Sequence, residues 1–179
     1  MSTRSHIAVL HGADCKIRAI YCHSDGYPAY TGHLLDNHYT PPVIRGVPLG
    51  TTVYDPNSDS VRVVEQKIAD LIDLGDLSLL GEHVHPDPRK PHRFDYKQRQ
   101  PGVTIAYGRD RGEKDTEATL YDNYEDWHAA MWPFIDYAYL YCAGTWLCAE
   151  VTDPANDTLI FKHVRSMINP EHVQRIFGT

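Results

Sequence analysis

His6-Ile7-Ala8-Val9-Leu10-His11-Gly12-Ala13-Asp14-Cys15-Lys16-Ile17-Arg18-Ala19-Ile20-Tyr21-Cys22 decides the fold. Two apolar runs, His6 to Leu10 and Lys16 to Cys22, stand on either side of Gly12-Ala13-Asp14. A Gly/Asp cluster between two strand-like runs closes a β-hairpin. In the first run Ile7 and Val9 alternate with Ala8 and Leu10, so that strand is expected to be buried on both faces. In the second, the side-chain period of two puts Arg18 and Cys22 on one face and Tyr21 on the other.

Working outward, the pattern switches between strand and helix. Thr31 is placed to cap a short helix through about Tyr39, with Leu34, Leu35 and His38 along one side and Pro41-Pro42 as its stop. The clearest helix follows: Asp59 or Ser60 caps it, Val61, Val64, Ile68, Leu71 and Ile72 form an apolar stripe, and Gly75 ends it. Residues 103 to 107 read as a strand. Asp122-Asn123-Tyr124-Glu125 has the form of a capping box that starts a helix bearing Trp127, Ala130 and Met131, ended by Pro133. Residues 137 to 141 and 146 to 150 read as a second hairpin around Cys142-Ala143-Gly144-Thr145. A two-residue turn there faces Tyr141 with Trp146, Leu140 with Leu147, and separates Cys142 from Cys148. A three-residue turn with Gly144 left-handed fits the residues equally and shifts the register. Residues 159 to 164 read as a last strand, and Asn169-Pro170-Glu171 caps a final helix, His172 to Phe177, stopped by Gly178. Six or seven strands and about four helices, with runs of strands joined by hairpins, predict an α+β domain around a mostly antiparallel sheet.

At 179 residues the chain suits a single domain. Residues 41 to 60, rich in Pro, Gly and Asp, read as an inserted flap or loop carrying two short extended runs at 43–45 and 52–54. No apolar run reaches the length of a membrane span, and the first residues lack the apolar core of a signal peptide, so a cytoplasmic protein without a membrane association is expected. A formal charge of −7 argues against direct nucleic-acid binding through phosphate neutralisation. Cys15, Cys22, Cys142 and Cys148 lack zinc-knuckle spacing and read as reduced thiols. The chain holds 12 Tyr and 11 His, which suits either amphipathic packing or an aromatic recognition surface.

Three stretches carry candidate chemistry. His23, Asp25 and Tyr27 leave the end of the second strand in a turn, where polar side chains on a rigid scaffold often form a site; the same residues also suit a plain Asp-Gly turn. Gly108-Arg109-Asp110-Arg111-Gly112-Glu113-Lys114 places three cations around two glycines, so Arg109, Arg111 and Lys114 suit a phosphate or carboxylate, or else internal ion pairs. His83, His85 and His92 lie in a loop without an element to fix their spacing, so no metal is assigned. Cys22 and His23 are neighbours on a strand and point to opposite faces, which disfavours a Cys–His nucleophile. No nucleophile elbow, paired-carboxylate helix or dinucleotide fingerprint occurs, so the reading leans away from an enzyme and calls no cofactor.

Arg18-Ala19-Ile20-Tyr21-Cys22-His23-Ser24-Asp25-Gly26-Tyr27-Pro28 resembles the opening motif of a family of small phage and prophage proteins, in which such a strand usually ends in His-Trp-Asp-Gly-Tyr-Pro. The likeness continues through residues 34–39, 71–81, 106–113 and the hairpin at Trp146, and covers roughly residues 17 to 150. Ser24 stands where the family usually has Trp, and residues 41 to 60 look inserted. The resemblance implies a phage accessory protein of the host cytosol, of the kind that counters bacterial defence. The expected function is sequestration, without chemistry, of a small anionic, nucleotide-type ligand stacked on Tyr27 or Trp146 and held by Arg109 and Arg111. Two alternatives stay open: a protein-binding inhibitor of a host immune nuclease or effector, and a nucleotide-processing enzyme using His23 and Asp25. Self-association is also open.

Overall fold

A computed structural model describes residues 2–11, 13–41, 57–81 and 104–178. The two central strands are β1 (Ser5–His11) and β2 (Lys16–Ser24), paired antiparallel from Ser5 opposite Cys22 to His11 opposite Lys16. The chain then makes a wide turn at Pro28–Gly32, continues as α1 (His33–His38), and later forms α2 (Asp59–Asp73) and β3 (Leu77–Leu79). After β4 (Ile105–Ala106) come α3 (Tyr107–Arg111), β5 (Thr119–Tyr121), α4 (Tyr124–Met131), β6 (Tyr137–Cys142) and β7 (Thr145–Glu150). The chain closes with β8 (Lys162–His163), α5 (Val164–Met167) and α6 (Pro170–Phe177). The strand order is β4-β3-β2-β1-β6-β7-β8, with β5 also paired to β2.

This is an α+β fold. Hairpins make most neighbours antiparallel, but the sheet is mixed, because β1 pairs with β6 and β2 with β3 in parallel. Parallel neighbours need a crossover connection, and the chain between β2 and β3 supplies one that contains α1 and α2.

Both faces of the sheet are covered. On one, Ile7, Ile20, Cys22, Tyr139, Trp146 and Cys148 meet Leu34 and Leu35 of α1, Ile68, Leu71 and Ile72 of α2, and Val164 of α5. On the other, Ala8, Ala19, Ala138 and Ala149 form a shallow seat for Trp127 and Met131 of α4. Small side chains there let α4 approach closely enough to bury the whole indole, a burial that stabilises by about 3 kcal/mol. The period-two reading of β2 holds: Ile20 and Cys22 belong to the first face, and Ile17, Ala19 and Tyr21 to the second.

Several local expectations are corrected. Ser58, not Asp59 or Ser60, caps α2, its hydroxyl accepting from the Val61 amide at 3.3 Å. The Thr31 hydroxyl donates to the Asp25 carbonyl at 2.9 Å rather than capping a helix. In α4, Asn123 within the expected capping stretch is the cap, accepting from the Asp126 amide at 2.8 Å, and the helix that bears Trp127, Ala130 and Met131 ends at Met131, before Pro133. Of the strand expected over 103–107, residue 103 lies outside the described residues, and among the rest only Ile105 and Ala106 pair, because the Asp110 carboxylate takes the Ala106 amide at 2.8 Å and winds the chain into α3. Of the strand expected over 159–164 only Lys162 and His163 pair; Leu159 donates its amide to the Tyr124 hydroxyl at 2.9 Å, and Phe161 stacks on Trp127.

The second hairpin takes the two-residue register, Cys142 opposite Thr145 and Tyr141 opposite Trp146, with Ala143 and Gly144 at φ 46° and 82°. All four cysteines are free. Of the expected flap at 41–60, residues 42–56 lie outside the described residues, and its last residues cap and begin α2. No helix among the described residues is long and apolar enough to cross a membrane.

Candidate functional site

The β1–β2 register brings together residues that lie far apart in the sequence. Tyr21 sits opposite His6, and Arg4, the residue before β1, lies close enough to Tyr21 to act on its phenol. Period two then places Arg4, His6, Tyr21 and His23 on the α4 side of the sheet, beyond the end of α4.

Arg4 is held by its backbone. Its amide donates to the Asp136 carboxylate at 2.7 Å, and its carbonyl accepts from the amides of Asp136 and Tyr137 at 2.9 and 3.2 Å. Its guanidinium is different: among the described residues, Nε is buried without a hydrogen-bond partner and the side chain makes no ion pair. A buried, unneutralised guanidinium nitrogen is costly and calls for an acceptor.

Beside it the Tyr21 hydroxyl lies 2.7 Å from Nδ1 of His23. Burial, assisted by Asp76 and Asp136, raises the Tyr21 phenol above its ordinary range, while Arg4 pulls it the other way. Tyr21 is therefore neutral at physiological pH. When its hydroxyl donates to Nδ1, the proton of a neutral His23 ring stands on Nε2, a donor with no partner among the described residues. The floor of the site is His6, whose Nδ1 accepts from the Trp127 indole at 3.2 Å, and burial lowers its pKa to about 4. The Asp76 carboxylate accepts the Tyr21 amide at 2.8 Å, and burial raises its pKa. An arginine fork and an imidazole N–H, the latter oriented by the Tyr21 hydroxyl, make a donor set for an anion at this end of the sheet.

The residues singled out in the sequence distribute differently. His23 belongs to this site. Asp25, at φ 55°, and Tyr27 belong to the turn that follows. That turn is sewn to the N-terminal segment: the Gly26 amide donates to the Thr3 carbonyl at 2.9 Å, and its carbonyl accepts from the Tyr139 hydroxyl at 2.8 Å. The Tyr27 ring stacks on His172 of α6 at 5.3 Å between centroids.

Trp146 is fully buried and its indole donates to the Tyr39 carbonyl at 3.0 Å, so both ring faces are occupied by the core and offer no stacking platform. Arg109 binds the Asp110 carboxylate and the Thr104 carbonyl. Arg111 pairs with Glu113 at 2.8 Å and lies over the Tyr107 ring, and Lys114 is exposed. The register of β3 also directs the two turns away from each other. β2 leaves the sheet past Leu79, whereas antiparallel β4 leaves it past Leu77, at the other end of the ribbon.

Sequence reading missed Arg4, Tyr21 and His6. The signal for Tyr21 was its parity with His23 on β2; that for Arg4 was its place just before β1, beyond the reach of the apolar pattern. His83, His85 and His92 lie outside the described residues, among which no group of three or more His, Cys, Asp or Glu is placed to hold a metal. No family model, curated protein or solved structure matches the chain.

Proposed function

We propose that this chain is a phage accessory protein that binds and sequesters a small anionic ligand, of the nucleotide or phosphate type, at Arg4, Tyr21 and His23. The observation that carries the reading is the buried Arg4 Nε, near Tyr21 and with neither hydrogen-bond partner nor counter-ion among the described residues, together with a His23 Nε2 that has no partner among them. An anion seated there satisfies both at once, and charge-assisted hydrogen bonds of this kind are worth about 1.5–3 kcal/mol each. The phage, counter-defence setting follows from the resemblance over residues 17 to 150 alone. Sequestration rather than turnover fits a site that offers donors and no nucleophile.

The site differs from the one expected in the sequence. Arg109 and Arg111 already hold carboxylates, and Trp146 is closed in the core. Isothermal titration of the intact protein with inorganic phosphate and with linear and cyclic nucleotides tests the reading. At least one is expected to bind, with Arg4→Ala weakening it about 10- to 100-fold and Arg111→Ala leaving it unchanged. Silence across the whole panel, or equal binding by Arg4→Ala, overturns the proposal.

A further inference from the structure

The charge of this chain is not evenly spread. Residues 115–161 contain nine Asp and Glu and no Lys or Arg, whereas the whole chain has 24 acidic and 17 basic residues. The net negative charge therefore lies entirely in this segment. Among the described residues, only Asp122 of these nine carboxylates pairs with a cation, Lys16, at 2.7 Å.

The same segment carries four of the exposed large hydrophobic side chains: Leu120 (48% exposed), Trp132 (41%), Phe134 (66%) and Ile160 (74%). Helical spacing arranges the outer side of α4 as one stripe. Glu125 and Asp126 stand at its start, Ala129 and Ala130 in the middle, and Trp132, Pro133 and Phe134 just past its end, all exposed. Two large aromatics left in water beside a small-residue saddle are unusual on a monomer surface and common at the centre of interfaces.

We propose that the outer side of α4, centred on Trp132 and Phe134, is a docking surface for a protein that presents Lys and Arg around an apolar site. Charge complementarity selects this occupant. A second copy would bring nine like charges against nine, and nucleic acid or an anionic lipid surface is repelled in the same way. A cationic rim gains attraction to Glu125 and Asp126 while its apolar centre covers Trp132 and Phe134. This surface is independent of the Arg4 site, and either can fail without the other.

Trp132 supplies its own reporter, since Trp127 and Trp146 are fully buried. The probes are a designed amphipathic Leu/Lys helical peptide and its Leu/Glu counterpart, titrated into the intact protein while tryptophan emission and acrylamide quenching are read. The Leu/Lys peptide is expected to bind saturably, protect Trp132 from quencher, and weaken about tenfold between 50 and 300 mM salt; the Leu/Glu peptide is expected not to bind. The exposed double change Trp132→Ala/Phe134→Ala is expected to weaken Leu/Lys binding about tenfold or more, read by calorimetry. Glu125→Lys/Asp126→Lys is expected to weaken it and flatten the salt dependence. No saturable binding, binding indifferent to the aromatic substitutions, or a sedimentation mass showing this face covered by a second copy would overturn the proposal.

Discussion

Two regions look alike in the sequence and behave differently in the fold. Each is a strand running into a polar, glycine-bearing turn: β2 into His23-Ser24-Asp25-Gly26, and β4 into Gly108-Arg109-Asp110-Arg111-Gly112. The second pairs its charges internally, although among the described residues Nη1 of Arg109 stays buried without a hydrogen-bond partner. Asp110 neutralises Arg109 and caps the end of β4, Glu113 takes Arg111, and a left-handed Gly112 ends α3 in open space. The first is tied down by distant partners, Thr3 and Tyr139, while Arg4 beside it goes unneutralised. A cluster of charges close in sequence finds its counter-charges locally and has little left for a ligand. An arginine brought to a strand end by register has no such neighbour, and its unmet acceptor marks the candidate site.

The largest effect expected from breaking this contrast is at Gly26. A Cβ there would stand 2.7 Å from Ser5 Oγ and 2.9 Å from the Arg4 carbonyl carbon, so Gly26→Ala should cost about 3 kcal/mol in urea unfolding and abolish anion binding as Arg4 shifts. Next comes pH. His6 has a folded pKa of about 4 against an ordinary value of 6.5, so the unfolded chain takes up the proton first as pH falls. Its stabilising contribution is full above pH 6.5 and is lost between there and about 4, a loss on the order of 3 kcal/mol. His6→Asn, which keeps an acceptor for the Trp127 indole, should flatten that slope when the urea midpoint is followed from pH 7 to 4.5.

Asp110→Ala strands the Ala106 amide and the Arg109 charge together and should cost about 2 kcal/mol by chemical denaturation. Gly112→Ala meets nothing within 4 Å, so only its φ of 66° opposes the change; a loss of about 1 kcal/mol is expected, well below that at Gly26. Arg4→Ala sharpens the comparison from the other side, because it should leave the melting temperature unchanged or raised while removing ligand binding. A marked loss of stability would make Arg4 a structural residue instead.

Much of the fold was legible in local chemistry. The alternation at Ile17-Arg18-Ala19-Ile20 gave the two faces of β2, the stripe from Val61 to Ile72 gave α2, and Asn169-Pro170 with Gly178 bracketed α6. Each of these signals is written within a few residues, because helix caps, strand period and turn conformation depend on near neighbours. The parallel pairing of β1 with β6 was not legible, since it joins Ser5 to Tyr137 and no periodicity spans that distance. The short strands at 105–106 and 162–163 fell short of their apolar runs because Asp110 and the Trp127 seat drew those residues away.

The site divides along the same line. Sequence alone picked out His23, whose place at a strand end is a local fact, and the acidity of residues 115–161, which is composition. Only the tertiary structure decided that Trp146 is sealed in the core and that Arg4 lies beside Tyr21. Burial and pairing of this kind are properties of what other parts of the chain bring to a residue, and that is set by register and packing rather than by the residue's own neighbours.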